Sequence, residues 1–180
     1  MPNMAEAFDI LNNSDVLFSE QEVRVAVDRM AEEITATLGE SYPLVLSVMG
    51  GAVVFTGQLL PRLQFPLDFD YVHVSRYGEK TQGGQIVWKQ APKEGVEDRV
   101  VLVLDDILDE GHTMAAIRDK VLGLGARAFY SAVFANKEIN KEKPLSADFV
   151  GIHVPDRYVF GFGMDVRGVW RNLASIRALT

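Results

Sequence analysis

At 180 residues, with 48% hydrophobic and 24% charged positions, the chain can bury one sizeable core and is short for two, so a single domain over 1–180 is expected. Its formal charge of −7 leaves no dominant basic face to neutralise phosphates, which argues against nucleic-acid binding; an anionic substrate has to be held by local donors or a cation. The absence of cysteine excludes disulfides and thiolate metal sites. No apolar run approaches the roughly 20 residues that span a bilayer, and MPNMAEAFDILNNSD lacks the regions of a signal peptide, so a cytoplasmic, membrane-free protein is expected.

In chain order, Ser19-Glu20-Gln21-Glu22 matches a capping box and opens an amphipathic helix through Val23, Ala26, Val27, Met30, Ile34 and Leu38, closed by Gly39. Leu44–Val48 predicts a short strand that Gly50-Gly51 ends, followed by a helix over Ala52–Leu60 that Pro61 stops. Phe69–Ser75 reads as a strand, Arg76–Gly84 as a polar, glycine-rich loop, and Ile86–Lys89 as the start of a return strand. Val100–Leu104 is wholly aliphatic, the signature of a strand covered on both faces. A helix follows over Thr113–Leu122, then strands over Phe129–Ala135 and Phe149–Val154. This alternation predicts an α/β fold with a mainly parallel sheet flanked by helices, whose ligands bind beyond the carboxyl ends of its strands.

One such end carries Asp105, Asp106, Asp109 and Glu110, directly before Gly111 and Thr113. A lone Asp-Asp at a strand end is a solvated turn; a further acid at this spacing, with Gly-x-Thr opening a helix, is not an ordinary turn. The helix N-terminus and the Thr113 hydroxyl offer donors to a phosphate, and the carboxylates suit sugar hydroxyls or Mg²⁺. The pattern describes a sugar-phosphate site.

The stretch VVLVLDDILDEGHTM resembles the phosphoribosyl-pyrophosphate motif of the type I phosphoribosyltransferases. SVMGG, VSRYG, Lys137 and YVFGFGMDVRGVWRNL narrow the resemblance to the short bacterial hypoxanthine-guanine phosphoribosyltransferases, over about Leu44 to Leu173. That resemblance implies a twisted, mainly parallel sheet with a small hood formed by terminal segments. It also implies Mg²⁺-dependent transfer of ribose 5-phosphate from phosphoribosyl pyrophosphate to a 6-oxopurine, in a homodimer or homotetramer. By position, Asp105 and Asp106 would bind the ribose hydroxyls directly or through Mg²⁺, and Asp109 would lie near purine N7 and act as general base or acid. Glu110, Gly111, His112 and Thr113 would cradle the 5-phosphate. Lys137 would donate to the purine 6-oxo group, Tyr158 would stack on the ring, and Val159 would read its edge. Asp165 would hold the Mg²⁺ that carries pyrophosphate, beside Arg171 and the Met49-Gly50 turn, while Arg76 and Tyr77 would belong to a closing loop.

The chain departs from the pattern at several positions. Met49 stands where many relatives have lysine, which leaves pyrophosphate to the backbone. His112 and Glu110 replace a lysine and a threonine, so the Glu110 side chain has to point away from the phosphate; Lys141 stands where some relatives have arginine. The sequence opposes two other classes. A transcriptional regulator that senses phosphoribosyl pyrophosphate calls for a basic face or an added DNA-binding domain, and a charge of −7 with no spare length opposes it. A pyrimidine- or adenine-specific transferase is opposed by Lys137 and Tyr158. His73 and His153 read as packing or edge residues, and Trp88 and Trp170 as packing residues.

Overall fold

The structure is a computed structural model that describes residues 1–77, 85–92 and 95–180, apart from the side chains of Arg76, Tyr77 and Gln85. The aliphatic runs of the sequence assemble into a six-stranded sheet. In chain order its strands are β2 (Leu44–Met49), β3 (Asp68–Tyr77), β4 (Gln85–Gln90), β5 (Val100–Leu108), β6 (Ala128–Glu138) and β7 (Phe149–Pro155); in space the order is β4-β3-β2-β5-β6-β7. Every neighbouring pair is parallel except β3 with β4, the return strand on the edge.

Alternation along β5 explains why an all-aliphatic run suits its centre. Val100, Leu102 and Leu104 enter one core with helix α2 (Glu20–Leu38) and the short α3 (Val53–Leu59). Val101 and Val103 enter a second core on the opposite face with α4 (His112–Gly123). The apolar stripe of α2 is buried throughout, from Val23 to Leu38. At its start the Ser19 hydroxyl accepts from the Glu22 amide while the Glu22 carboxylate accepts from the Ser19 amide at 2.8 Å, the reciprocal cap expected from the sequence.

The aliphatic run predicts a β5 that stops at Leu104, yet its ladder with β6 continues to Leu108↔Asn136. Asp105 and Asp106 therefore sit within the end of a hydrogen-bonded strand, and Asp109 and Glu110 in the bend that follows it.

A second sheet, in the order β1-β9-β8, joins the two ends of the chain: β1 (Ser14–Phe18), β9 (Ile176–Leu179) and β8 (Val159–Phe160), all antiparallel. With α1 (Met4–Asn12) it forms the hood over the strand ends. No element is predicted from the sequence before Ser19 or after Val154. Helix α1 buries no residue, and β8 and β9 are too short for a period, so neither announces itself. One local signal was present, because Asn3 and Glu6 form a second capping box. The Trp170 indole N–H, donating to the Ala7 carbonyl at 2.8 Å, ties α1 down, and the Phe8 ring meets Trp170 edge-on at 5.5 Å between centroids. Among the described residues no helix is long and apolar enough to cross a membrane.

Candidate active site

Two cavities meet at the end of β5. The larger, about 320 Å³, is lined by Asp105, Asp106, Asp109, Gly111, Thr113 and Arg171, together with Met49 and Gly51 at the end of β2. The second, about 240 Å³, shares Asp106 and Asp109 as its wall and adds Lys137, Tyr158, Val159 and Asp165. Asp109 thus faces both spaces.

The larger cavity is built by β5 and the start of α4. Gly111 caps α4 with no side chain and with a left-handed backbone (φ 81°), which glycine adopts without strain. The positive end of α4 is directed at the cavity floor. The two adjacent acids are held by the backbone: the Asp106 amide donates to Asp105 Oδ1 at 2.9 Å, and the Ile107 amide to Asp106 Oδ1 at 2.8 Å. Burial raises the pKa of Asp106 above the ordinary aspartate value; hydrogen bonds from Asp105 and Ile107 and the Arg171 charge oppose the shift.

A stack of close approaches locks the Asp106 carboxylate to the hood. A Cβ on Gly51 would overlap Asp106 Oδ2, and a Cβ on Gly163 would overlap the Gly51 carbonyl oxygen. The Gly163 carbonyl in turn accepts from Arg171 Nη1 at 2.7 Å. Arg171 Nη2 pairs with Asp165 Oδ1 at 2.6 Å, and Asp165 Oδ2 accepts from the Gly168 amide at 2.7 Å. From the sequence, Gly51 only ends a strand and Gly163 carries no assignment. Their packing role depends on neighbours far along the chain and had no local signal.

In the second cavity Lys137 Nζ lies 3.0 Å from Asp109 Oδ2, with the lysine side chain only 12% exposed. The Val159 side chain is buried, and the Tyr158 ring stands at the rim, 53% exposed, its hydroxyl donating to the Asp165 carbonyl at 3.2 Å.

Three expected residues lie elsewhere. Gly50 and His112 line neither cavity. The Glu110 carboxylate is 3.8 Å from Lys141 Nζ and borders a further depression with Asp109, Asn140 and Asp156. Arg76 and Tyr77 end β3, beside Ser75 and across from Ile86, both of which line the larger cavity. Their side chains, and residues 78–84 of the expected closing loop, fall outside the described residues.

Among the described residues no three His, Asp or Glu side chains form a metal cage. Mg²⁺ does not demand one, since it takes one or two carboxylates and completes its octahedron with waters and substrate phosphates. The hard oxygen donors of Asp105, Asp106 and Asp165 fit that mode.

The phosphoribosyl transferase domain family matches residues 13–167. The hypoxanthine-guanine phosphoribosyltransferase of Bacillus subtilis is 31% identical over 165 residues, covering 91% of this chain and 92% of that protein. The hypoxanthine-guanine-xanthine phosphoribosyltransferase of Tritrichomonas foetus is 30% identical, covering 91% and 90%. A solved hypoxanthine-guanine-xanthine phosphoribosyltransferase superimposes with a TM-score of 0.84 at 27% identity, over 94% of this chain and 99% of that one. Matched span, shared fold and the acidic turn above a helix N-terminus agree: the chain belongs to the phosphoribosyltransferase family, in its hypoxanthine-guanine branch.

Proposed function

We propose that the protein transfers the 5-phosphoribosyl group from phosphoribosyl pyrophosphate to N9 of hypoxanthine or guanine, releasing pyrophosphate and forming IMP or GMP. The observation that carries this reading is the position of Asp109, a carboxylate on the wall between a sugar-phosphate cavity and a purine-sized one, with the Lys137 ammonium 3.0 Å away.

The 5-phosphate sits at the start of α4, on Gly111 and Thr113, and the ribose hydroxyls face Asp105 and Asp106. The purine enters the second cavity under Tyr158, with O6 toward Lys137. A lysine ammonium has three donors, so Lys137 can serve Asp109 and O6 together. As the bond from C1′ to pyrophosphate breaks and positive charge grows on the ribose ring, N9 closes on C1′ and Asp109 accepts the N7 proton. Arg171 faces the leaving pyrophosphate from the hood. Mg²⁺ held by Asp105, Asp106 or Asp165 would neutralise charge on that leaving group. Adenine would present its 6-amino donor to an ammonium that accepts nothing, which favours 6-oxopurines. The closing loop begun by Arg76 and Tyr77 would exclude water from the activated sugar. The working form is proposed to be a homodimer or homotetramer.

The test is nucleotide formation by purified protein with Mg²⁺, phosphoribosyl pyrophosphate and, separately, hypoxanthine, guanine, xanthine, adenine or uracil. Turnover confined to 6-oxopurines is expected. Turnover of adenine or uracil alone, or binding of phosphoribosyl pyrophosphate with no turnover of any base, would overturn the reading.

A further inference from the structure

Lys143, in the connection between β6 and β7, draws together the two strand ends that carry Asp109 and Lys137. Its Nζ donates to the Leu108 carbonyl at 2.9 Å, to Asn136 Oδ1 at 2.7 Å and to the Lys137 carbonyl at 2.6 Å. Three acceptors match the three N–H groups of an ammonium. Leu108 and Asn136 are the last register partners of β5 and β6, so the ammonium closes the pair where the ladder stops. Beyond that point nothing in the ladder fixes the distance from Asp109, one residue past Leu108, to Lys137, one past Asn136.

The same segment reaches the phosphate side. The space that a Gly111 Cβ would take is bounded by Pro144 Cδ at 3.3 Å and Lys143 Cβ at 3.5 Å. Lys143-Pro144 therefore packs on the left-handed residue that opens α4 while its ammonium holds the purine side.

We propose that Lys143 is a positioning residue that sets the spacing of Asp109 and Lys137 and braces both against the phosphate cradle. It touches neither cavity and acts through two main-chain carbonyls and the Asn136 side chain. The inference rests on the functional reading above for its kinetic consequence and on the hydrogen bonds alone for its structural one. The ammonium is half-buried, and a water entering its place brings two donors, not three, and no tether to the chain, so the two strand ends would separate and the Asp109–Lys137 pair would widen.

The chain has no cysteine, which allows a chemical test. In Lys143→Cys the new thiol is unique. Its thiolate displaces bromide from 2-bromoethylamine, forming a C–S bond and restoring an ammonium at nearly the reach of lysine. The variant is expected to lose about 10–100-fold in kcat/KM for the 6-oxopurine, a size typical of misplaced catalytic groups. KM for phosphoribosyl pyrophosphate should stay within about threefold. Aminoethylation should recover most of the loss, whereas carboxamidomethylation, which adds a neutral group, should not.

Hydrogen exchange of peptides spanning 108–111 and 136–138 provides a readout independent of turnover. Exchange should quicken in Lys143→Cys, and in Lys143→Gln should the cysteine variant fold poorly, and should slow again after aminoethylation. Wild-type exchange rates in both variants, wild-type kcat/KM in the variants, or equal recovery by the neutral adduct would overturn the proposal. If the wild-type chain turned over no 6-oxopurine, the functional reading would fail, and the exchange rates would still decide the brace.

Discussion

Substitution of Gly51 by alanine isolates the contribution of one carboxylate. The backbone of Gly51 lies outside the left-handed region, so its identity is set by space alone. The three atoms nearest to an added Cβ all belong to the Asp106 carboxyl group. Asp106 Cγ would stand 2.6 Å from the new methyl, against 3.4 Å for ordinary contact, and Oδ2 would be closer still. The carboxylate must retreat by about 1 Å or more, a displacement that costs on the order of 10²-fold in rate when the group acts on the reacting centre. Retreat also gives up the hydrogen bond from the Ile107 amide, worth about 1.5–3 kcal/mol to a charged acceptor, but it returns a buried carboxylate toward water. These effects oppose each other, so the net change is about 1 kcal/mol, or roughly 2–4 °C in Tm for a domain of this size. Initial rates at saturating substrates and circular-dichroism melting would be measured together. A rate within threefold of wild type would refute a role for Asp106 at this position. A loss of more than about 10 °C would show that the clash falls on the backbone instead.

Asp109→Asn removes the proposed proton acceptor and should lower kcat by roughly 10²–10⁴-fold; near-normal turnover would sink that assignment. Lys137→Ala should weaken use of the purine while leaving affinity for phosphoribosyl pyrophosphate nearly intact, and an equal loss for both would make Lys137 structural. Asp106→Asn should abolish turnover yet raise Tm at pH 7. A carboxyl whose folded pKa is raised by burial contributes most to stability below its ordinary value and loses that contribution as pH rises through the folded one. The asparagine carries no such dependence and keeps an oxygen for the Ile107 amide. The gain should therefore shrink on acidification below the ordinary aspartate range, and a Tm difference independent of pH would refute it.

The sheet, both helices that cover its centre and the acidic turn were legible because each is written in contiguous residues. Ser19 to Glu22 caps α2 within one turn, and the aliphatic run of β5 needs no partner to be recognised. The second cavity became readable only through resemblance. Lys137 and the Tyr158–Asp165 stretch come from separate segments, and no local period says that they meet. What stayed hidden is non-local: the hood strands, the fit of Gly163 on Gly51, and a lysine in a polar connection whose acceptors lie on two other elements. The departure at Met49 keeps its place at the larger cavity, where the side chain brings no charge, and the Glu110 carboxylate lies beside Lys141.

The hood has a consequence for how the site comes into being. Pairing of Ser14 with Leu179 closes a loop of almost the entire chain, whereas β5, α4 and β6 follow one another directly. Closure entropy disfavours the distant pairing until the central sheet has brought the ends together. During folding, the acidic strand end and the start of α4 thus form before the cover that supplies Tyr158, Asp165 and Arg171. Pulse-labelled exchange should protect amides of β5 earlier than those of β9, and the reverse order would contradict this sequence of events. Until β9 pairs, the acidic strand end stands without the residues that wall the second cavity from the hood, so that cavity is the part of the site completed last.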